Sequence, residues 1–99
     1  MTKKIKAELN SQLKATAIYM FHLETWDERR DAYKQAYGMA QFAAAIDAEH
    51  LNDYERIWEY YEPILYEIMW TPGNPVLNEI ICEQHESISN DIENGWVRE

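Results

Sequence analysis

Cysteine is almost absent from this chain: Cys82 stands alone, which excludes an intrachain disulfide and suits a protein kept in a reducing cytoplasm. Glycine and proline are nearly as scarce, three of each in 99 residues, the first glycine at Gly38 and the first proline at Pro63. No Gly-rich loop exists to cradle a phosphate, and Ser11, Ser87 and Ser89 lie in polar helical stretches without a nucleophile elbow. Long apolar runs are missing too. The opening MTKKIKAELNSQLKA has no stretch of signal-peptide length, and nothing approaches the ~18 uncharged residues of a membrane span. A cytoplasmic chain is the expectation.

Positive charge is what residues 31–99 lack most. Residues 1–30 hold six Lys/Arg against four Asp/Glu, a surplus of +2, whereas residues 31–99 hold three against fourteen, −11, giving the net charge of −9. Such a surface repels nucleic-acid phosphates and anionic lipid head groups, so direct contact with either is not expected there and a basic protein partner is favoured. Phenylalanine is rare as well: two Phe stand against seven Tyr and four Trp. Rings with a polar handle suit interfaces.

What is present is helical periodicity almost without pause. Apolar residues recur at steps of three and four through Ile5, Leu9, then Tyr19, Leu23, Trp26, then Tyr33, Tyr37, Ala40, Ala44, Leu51, Tyr54, Trp58, Tyr61, Leu65 and Ile68. Strand-like alternation is absent, so the fold class is all-α. Thr25-Trp26-Asp27-Glu28 fits a capping box and marks the first turn; Gly38 is the rival, with no N-cap residue behind it. Asn74 followed by Pro75 starts the last helix, and Gly95 stops it. The pattern predicts helix 1 over about 3–24, a central helix over about 26–70 kinked at Pro63, and helix 3 over about 75–94, as one helical domain 1–99. Even its first 36 or so residues would run about 54 Å, against about 30 Å for each neighbour, which leaves strips for a second copy or a partner. A three-helix bundle or hairpin completed by homo-oligomerisation is expected.

The stretch ERIWEYYEPILYEIMW, residues 55–70, packs five aromatics, five aliphatics and four glutamates into sixteen positions. On a helical wheel Tyr54, Ile57, Trp58, Tyr60, Tyr61, Ile64, Leu65, Ile68 and Met69 cover one half, and Glu55, Glu59, Glu62 and Glu67 the rest. Two neighbours are needed to cover the apolar half. Tyr66 and Trp70 fall on the wet side among carboxylates, where they are candidate anchors for a partner.

Asp47 interrupts the apolar arc. With His50 and Tyr54 it forms an i, i+3, i+7 column flanked by Ala40, Ala43 and Ala44. Three roles are open to it: a bond to His50 or to the Lys3, Lys4 and Lys6 end of helix 1; a register device at a subunit contact; or a metal site, since Asp47-x-x-His50 and Cys82-x-x-His85 share a ligand spacing.

Leu9-Asn10-Ser11-Gln12-Leu13 and the run from Phe42 to Tyr61, with Glu49-His50 and Arg56 inside it, resemble the first two helices of ferritin-like proteins over about half the chain. The resemblance implies a helical metal binder using Asp47, Glu49 and His50 with Cys82 and His85. That family's di-iron centre takes a Glu in the first helix and Glu-x-x-His in the second, and the matching places here hold Thr16 and His50-x-x-Asp53. The ligand set is broken.

The acidic face is the feature with the clearest functional reading. On helix 3, Glu79, Glu83, Glu86, Asn90 and Glu93 recur at 4-3-4-3 spacing, and Glu55, Glu59 and Glu62 add to the acids of the central helix. Rows of like charge at i, i+4 cost an isolated helix a few tenths of a kcal/mol per pair, so a different gain is implied. Fixed carboxylates imitate a row of phosphates. In charge, size and aromatic content the chain resembles small acidic proteins, many phage-encoded, that block host nucleases, restriction or CRISPR effectors. The expectation is a non-enzymatic DNA-mimic inhibitor without cofactor, binding through Glu55, Glu59, Glu62, Tyr66, Trp70, Glu79, Glu83, Glu86 and Glu93, with a purely structural oligomer subunit as a further alternative.

Overall fold

Thr25 opens the second helix as its spacing predicts: the Thr25 side chain accepts from the Glu28 N–H at 3.2 Å while Glu28 Oε1 accepts from the Thr25 N–H at 3.3 Å. The computed structural model describes residues 2–95, and in it four α-helices follow one another: α1 (Thr2–Met20), α2 (Trp26–Ile46), α3 (Leu51–Trp70) and α4 (Pro75–Glu93), with one 3-10 turn at Ala48–His50 between α2 and α3. All described secondary structure is helical. Helix 1 stops short of the expected 24, because Phe21, His22 and Leu23 donate to carbonyls three residues back and tighten its end. Asn74 caps α4 through its side chain, which accepts from the Val76 N–H at 3.1 Å, with Pro75 in the first turn. Gly95 at φ +84 supplies the left-handed residue that ends α4, its N–H on the Ile92 carbonyl.

The continuous central helix over 26–70 is corrected: it is two helices folded back on one another. The chain reverses at Asp47 (φ −124, ψ 61) and His50 (φ −117, ψ 33). No glycine or proline marks the place, and the preceding FAAAI has high helix propensity. The break is held from outside instead. Tyr54 Oη donates to Asp47 Oδ2 at 2.8 Å, and His50 Nδ1 lies 2.9 Å from Asp47 Oδ1. Folding back here lets α3 bury its apolar half, which a rod some 45 residues long would leave in water. Gly38 lies inside α2, and α3 runs through the exposed Pro63.

The four helices alternate in direction. α1 lies antiparallel to α4, with Lys3 opposite Glu93 and Asn10 opposite His85 and Ser89. α2 lies antiparallel to α3, with Arg29 at Met69 and Tyr33 at Glu62. α1 and α3 each touch all three other helices, whereas α2 and α4 do not touch one another. The Cα radius of gyration is 13.2 Å, with extents of 37 × 24 × 19 Å, the size of a compact chain of about 100 residues. The length mismatch from which the sequence suggested uncovered strips is therefore gone.

The core runs along the α1–α3 contact: Leu9, Leu13, Ala17 and Met20 meet Tyr54, Ile57, Tyr61, Leu65 and Ile68, closed on the α4 side by Leu77, Ile81, Ile88 and Ile92. Burying each large side chain contributes about 1.5–3 kcal/mol. On α2 the inward positions are Arg29, Ala32, Ala36, Ala40 and Ala43. The expected seam is thus corrected in phase. On α2 Tyr37 is exposed and Tyr33 half-buried, because the alanines let the helix approach its neighbours closely and displace its large rings to the flank; Tyr19, on α1, is exposed as well.

Candidate docking surfaces

α4 presents Glu79, Glu83, Glu86, Asn90 and Glu93 to solvent, all exposed. The cause is local: Leu77, Ile81, Ile88 and Ile92 turn inward, which leaves the acids on the opposite side of the same rigid helix. Glu93 has a counter-ion, Lys3 Nζ at 3.5 Å, but both side chains are more than half exposed, so the pair is worth little. Glu79, Glu83 and Glu86 have no ion-pair partner among the described residues.

The acids of α3 lie elsewhere. Glu55 and Glu59 line the hollow between α2 and α3, and Glu62 accepts the Tyr33 hydroxyl at 2.7 Å across it. Since α4 does not touch α2, the structure divides the expected acidic set into two surfaces rather than one. Burial and the Glu62 carboxylate push the Tyr33 phenol up to about 12.

Tyr66 and Trp70, placed on the wet side by the wheel, are 48% and 55% exposed. They are not isolated. Ring contacts run Trp26–Trp70 at 5.3 Å, Trp70–Tyr66 at 6.3 Å, Tyr66–Tyr33 at 6.3 Å, Tyr33–Trp58 at 5.9 Å and Trp58–Tyr37 at 5.3 Å between centroids. This ladder of six aromatics follows the α2–α3 face, and the guanidinium of Arg30 sits over the Trp26 ring at 5.2 Å. The period alone places Trp26, Tyr33 and Tyr37 of α2 on the inward seam. The available signal was the run of alanines at 32, 36, 40 and 43, which competes with them for the inward face.

Asp47 and His50 form a polar junction. The Asp47 side chain is 12% exposed and gathers both His50 and Tyr54, while Lys6, with its side chain 7% exposed, pairs with Asp53 on the following turn. Burial and the Asp47 contact raise the Tyr54 phenol above its ordinary range. The metal alternative fits poorly. Among the described residues no group of three or more His, Cys, Asp and Glu side chains could hold a metal ion. Glu49 is exposed, His50 Nδ1 is engaged with Asp47, and Cys82 and His85 sit on α4, a helix that does not reach α2. Thr16, in the place of the family's first-helix glutamate, donates its hydroxyl to the Gln12 carbonyl at 2.8 Å.

Two buried polar groups escaped the sequence reading. Asn10 is 1% exposed and fully used: Nδ2 donates to the His85 carbonyl and to Ser89 Oγ, both at 3.0 Å, and Oδ1 accepts from Tyr61 Oη at 2.7 Å. Arg29 is 8% exposed and donates to the Met69 carbonyl at 2.9 Å and the Leu23 carbonyl at 3.1 Å. It ties the start of α2 to the end of α3. Burial, with Lys14 nearby, lowers the His85 imidazole below its usual value.

Compared with known proteins, the chain matches no family model, no curated protein and no solved structure. Function therefore has to be argued from its own chemistry. No helix among the described residues is long and apolar enough to cross a membrane.

Proposed function

We propose that this chain is a non-enzymatic interaction protein of the cytoplasm that docks a basic, nucleic-acid-binding protein and blocks it, its α4 carboxylates occupying the places of phosphates. One observation carries this reading: Glu79, Glu83 and Glu86 stand exposed on a single helix with no ion-pair partner among the described residues. At 1.5 Å rise per residue, neighbouring acids are about 4.5 to 6 Å apart along the axis, so their field is patterned rather than diffuse. A groove built from Lys and Arg to hold a phosphate backbone meets a comparable row of negative charge here.

The test is charge reversal. The triple variant E79K/E83K/E86K, with circular dichroism to verify its helices, is used beside the wild type to capture proteins from host lysate at low and at high salt. The expected result is a basic protein retained by the wild type at low salt, released at high salt, and not retained by the variant. Equal retention by both would end the mimic reading.

Self-association is a second reading, and a different observation favours it. Phe42 and Ile46 are 69% and 56% exposed on the α1–α2 side, where they border Ile5 and Met39. Single exposed apolar residues need no account, but a contiguous patch is a surface suited to a partner or a second copy.

A further inference from the structure

Between α2 and α3 the surface is hollowed along most of its length. One hollow, of about 670 Å³, has Ala40 and Ala44 as its floor, Leu51 at one end, Tyr37 and Trp58 as a wall, and Glu55 and Glu59 on its rim. A second continues from it, sharing Tyr37, Trp58 and Glu59 and adding Tyr33, Lys34 and Glu62. Together they form one groove with an alanine floor, an aromatic wall and an acidic lip. Glu55 and Glu59 have no ion-pair partner among the described residues. Among the described residues, Lys34 is the only cation lining the groove.

We propose that this groove seats an arginine-bearing amphipathic helix of a partner protein, its apolar side on the Ala40–Ala44 floor and its guanidinium groups between the Tyr37–Trp58 rings and the Glu55 and Glu59 carboxylates. The inference rests on the reading that this chain docks a basic protein, and it names the form of that protein's contact. The shape favours a helix: two antiparallel helices lined with small residues leave a trough into which a third helix packs its ridges. The charge favours a cation, since two unpaired carboxylates flank the opening. The rings favour arginine over lysine, because a planar guanidinium stacks on an aromatic face and meets a carboxylate with two donors at once. The same ladder already shows that chemistry internally, with Arg30 stacked over Trp26 at 5.2 Å. A second copy of this chain fits less well, because it brings a charge of −9 to an acidic rim.

The experiment titrates the full-length chain by calorimetry with an 18-residue synthetic helical peptide, leucine and alanine on one side and arginine flanking them, and with the same peptide carrying lysine for arginine. Backbone amide shifts map the site. The expected result is binding that shifts α2 and α3 amides, weakens at least tenfold in E55Q/E59Q and in Tyr37→Ala, weakens several-fold with the lysine peptide, and persists in E79K/E83K/E86K. Tyr37 is exposed, so its variant keeps the fold, as circular dichroism verifies. Absence of binding, equal binding by the groove variants, or loss only in the α4 variant would each overturn the groove assignment. In each of these cases, a basic protein still captured from lysate through α4 would leave the broader reading standing. A shift of the wild type to a dimer that hides the groove, measured by ultracentrifugation, would also overturn it.

Discussion

At the scale of single residues, register in the interior is set by a few polar groups that find partners. Asn10 uses its three amide bonds to join α1 to α3 and α4 at one point, and a buried amide so satisfied fixes register where leucines alone would slide. Tyr61, Tyr54 and Tyr33 anchor to α1, to the 47–50 junction and to Glu62 respectively. Each phenol is held above its ordinary value, first by burial; hydrogen bonds to the Asp47 and Glu62 carboxylates add to this for Tyr54 and Tyr33. A raised folded-state value means that the native state binds the proton more tightly than the unfolded chain. The stabilisation is therefore complete below the unfolded value of about 10 and is lost as pH climbs through the folded values, for Tyr33 about 12. Absorbance at 295 nm, followed with far-ultraviolet circular dichroism, should show these three ionising only as helicity falls, and Tyr33→Phe should lose less stability between pH 10 and 12 than wild type. Ionisation of all seven tyrosines below pH 10.5 with the helices intact would contradict the burial assigned to them.

At the scale of elements, what the sequence reveals and what it hides follow from where the causes lie. Thr25, Asn74, Pro75 and Gly95 act within a few residues of themselves, and the ends they define are found where local chemistry places them. Asp47 ends α2 with its side chain held by His50 in the 3-10 turn and by Tyr54 on α3. The i, i+3, i+7 spacing of these three is equally that of one unbroken helix, and the alanines before Asp47 argue for one. The phase of α2 was illegible for a related reason: alanine and tyrosine both satisfy the helical period, and only close packing against α1 and α3 selects the alanines as the inner face. Tyr66 and Trp70 were placed correctly on the wet side by the wheel, but the ladder they belong to crosses two helices whose pairing the pattern did not show. One consequence is measurable. Gly38 lies exposed within α2 and a Cβ added there meets nothing within 4 Å, so Gly38→Ala should raise stability by about 0.5–1 kcal/mol. Thr25→Ala removes the capping box and should lower it by about 1 kcal/mol. Urea denaturation of the two variants checks both signs, and destabilisation by the alanine at 38 would mean that α2 bends there.

At the scale of the whole molecule, the acidic surfaces and the most exposed large apolar side chain among the described residues, Phe42, lie on different sides. The uncompensated acids stand on the outer side of α4 and on the lip of the α2–α3 groove, while the exposed apolar pair Phe42 and Ile46 lies on the α1–α2 side next to Lys4 and Glu8. A net charge of −9 opposes self-association at long range, yet salt at about 0.15 M shortens that repulsion to about 8 Å, and an apolar patch acts only at contact. Dimerisation through Phe42 and Ile46 is therefore expected to strengthen as salt rises, the opposite of docking through α4 or the groove, which weakens. Sedimentation velocity at 20 and 500 mM NaCl separates the two: the wild type should move toward the dimer at high salt, and Phe42→Glu should remain a monomer at both. A wild type monomeric under all conditions would remove the second copy from that patch, and with it the oligomer that the uncovered strips of a single central helix had suggested. The acidic surfaces would then be left as the faces through which this chain meets other proteins.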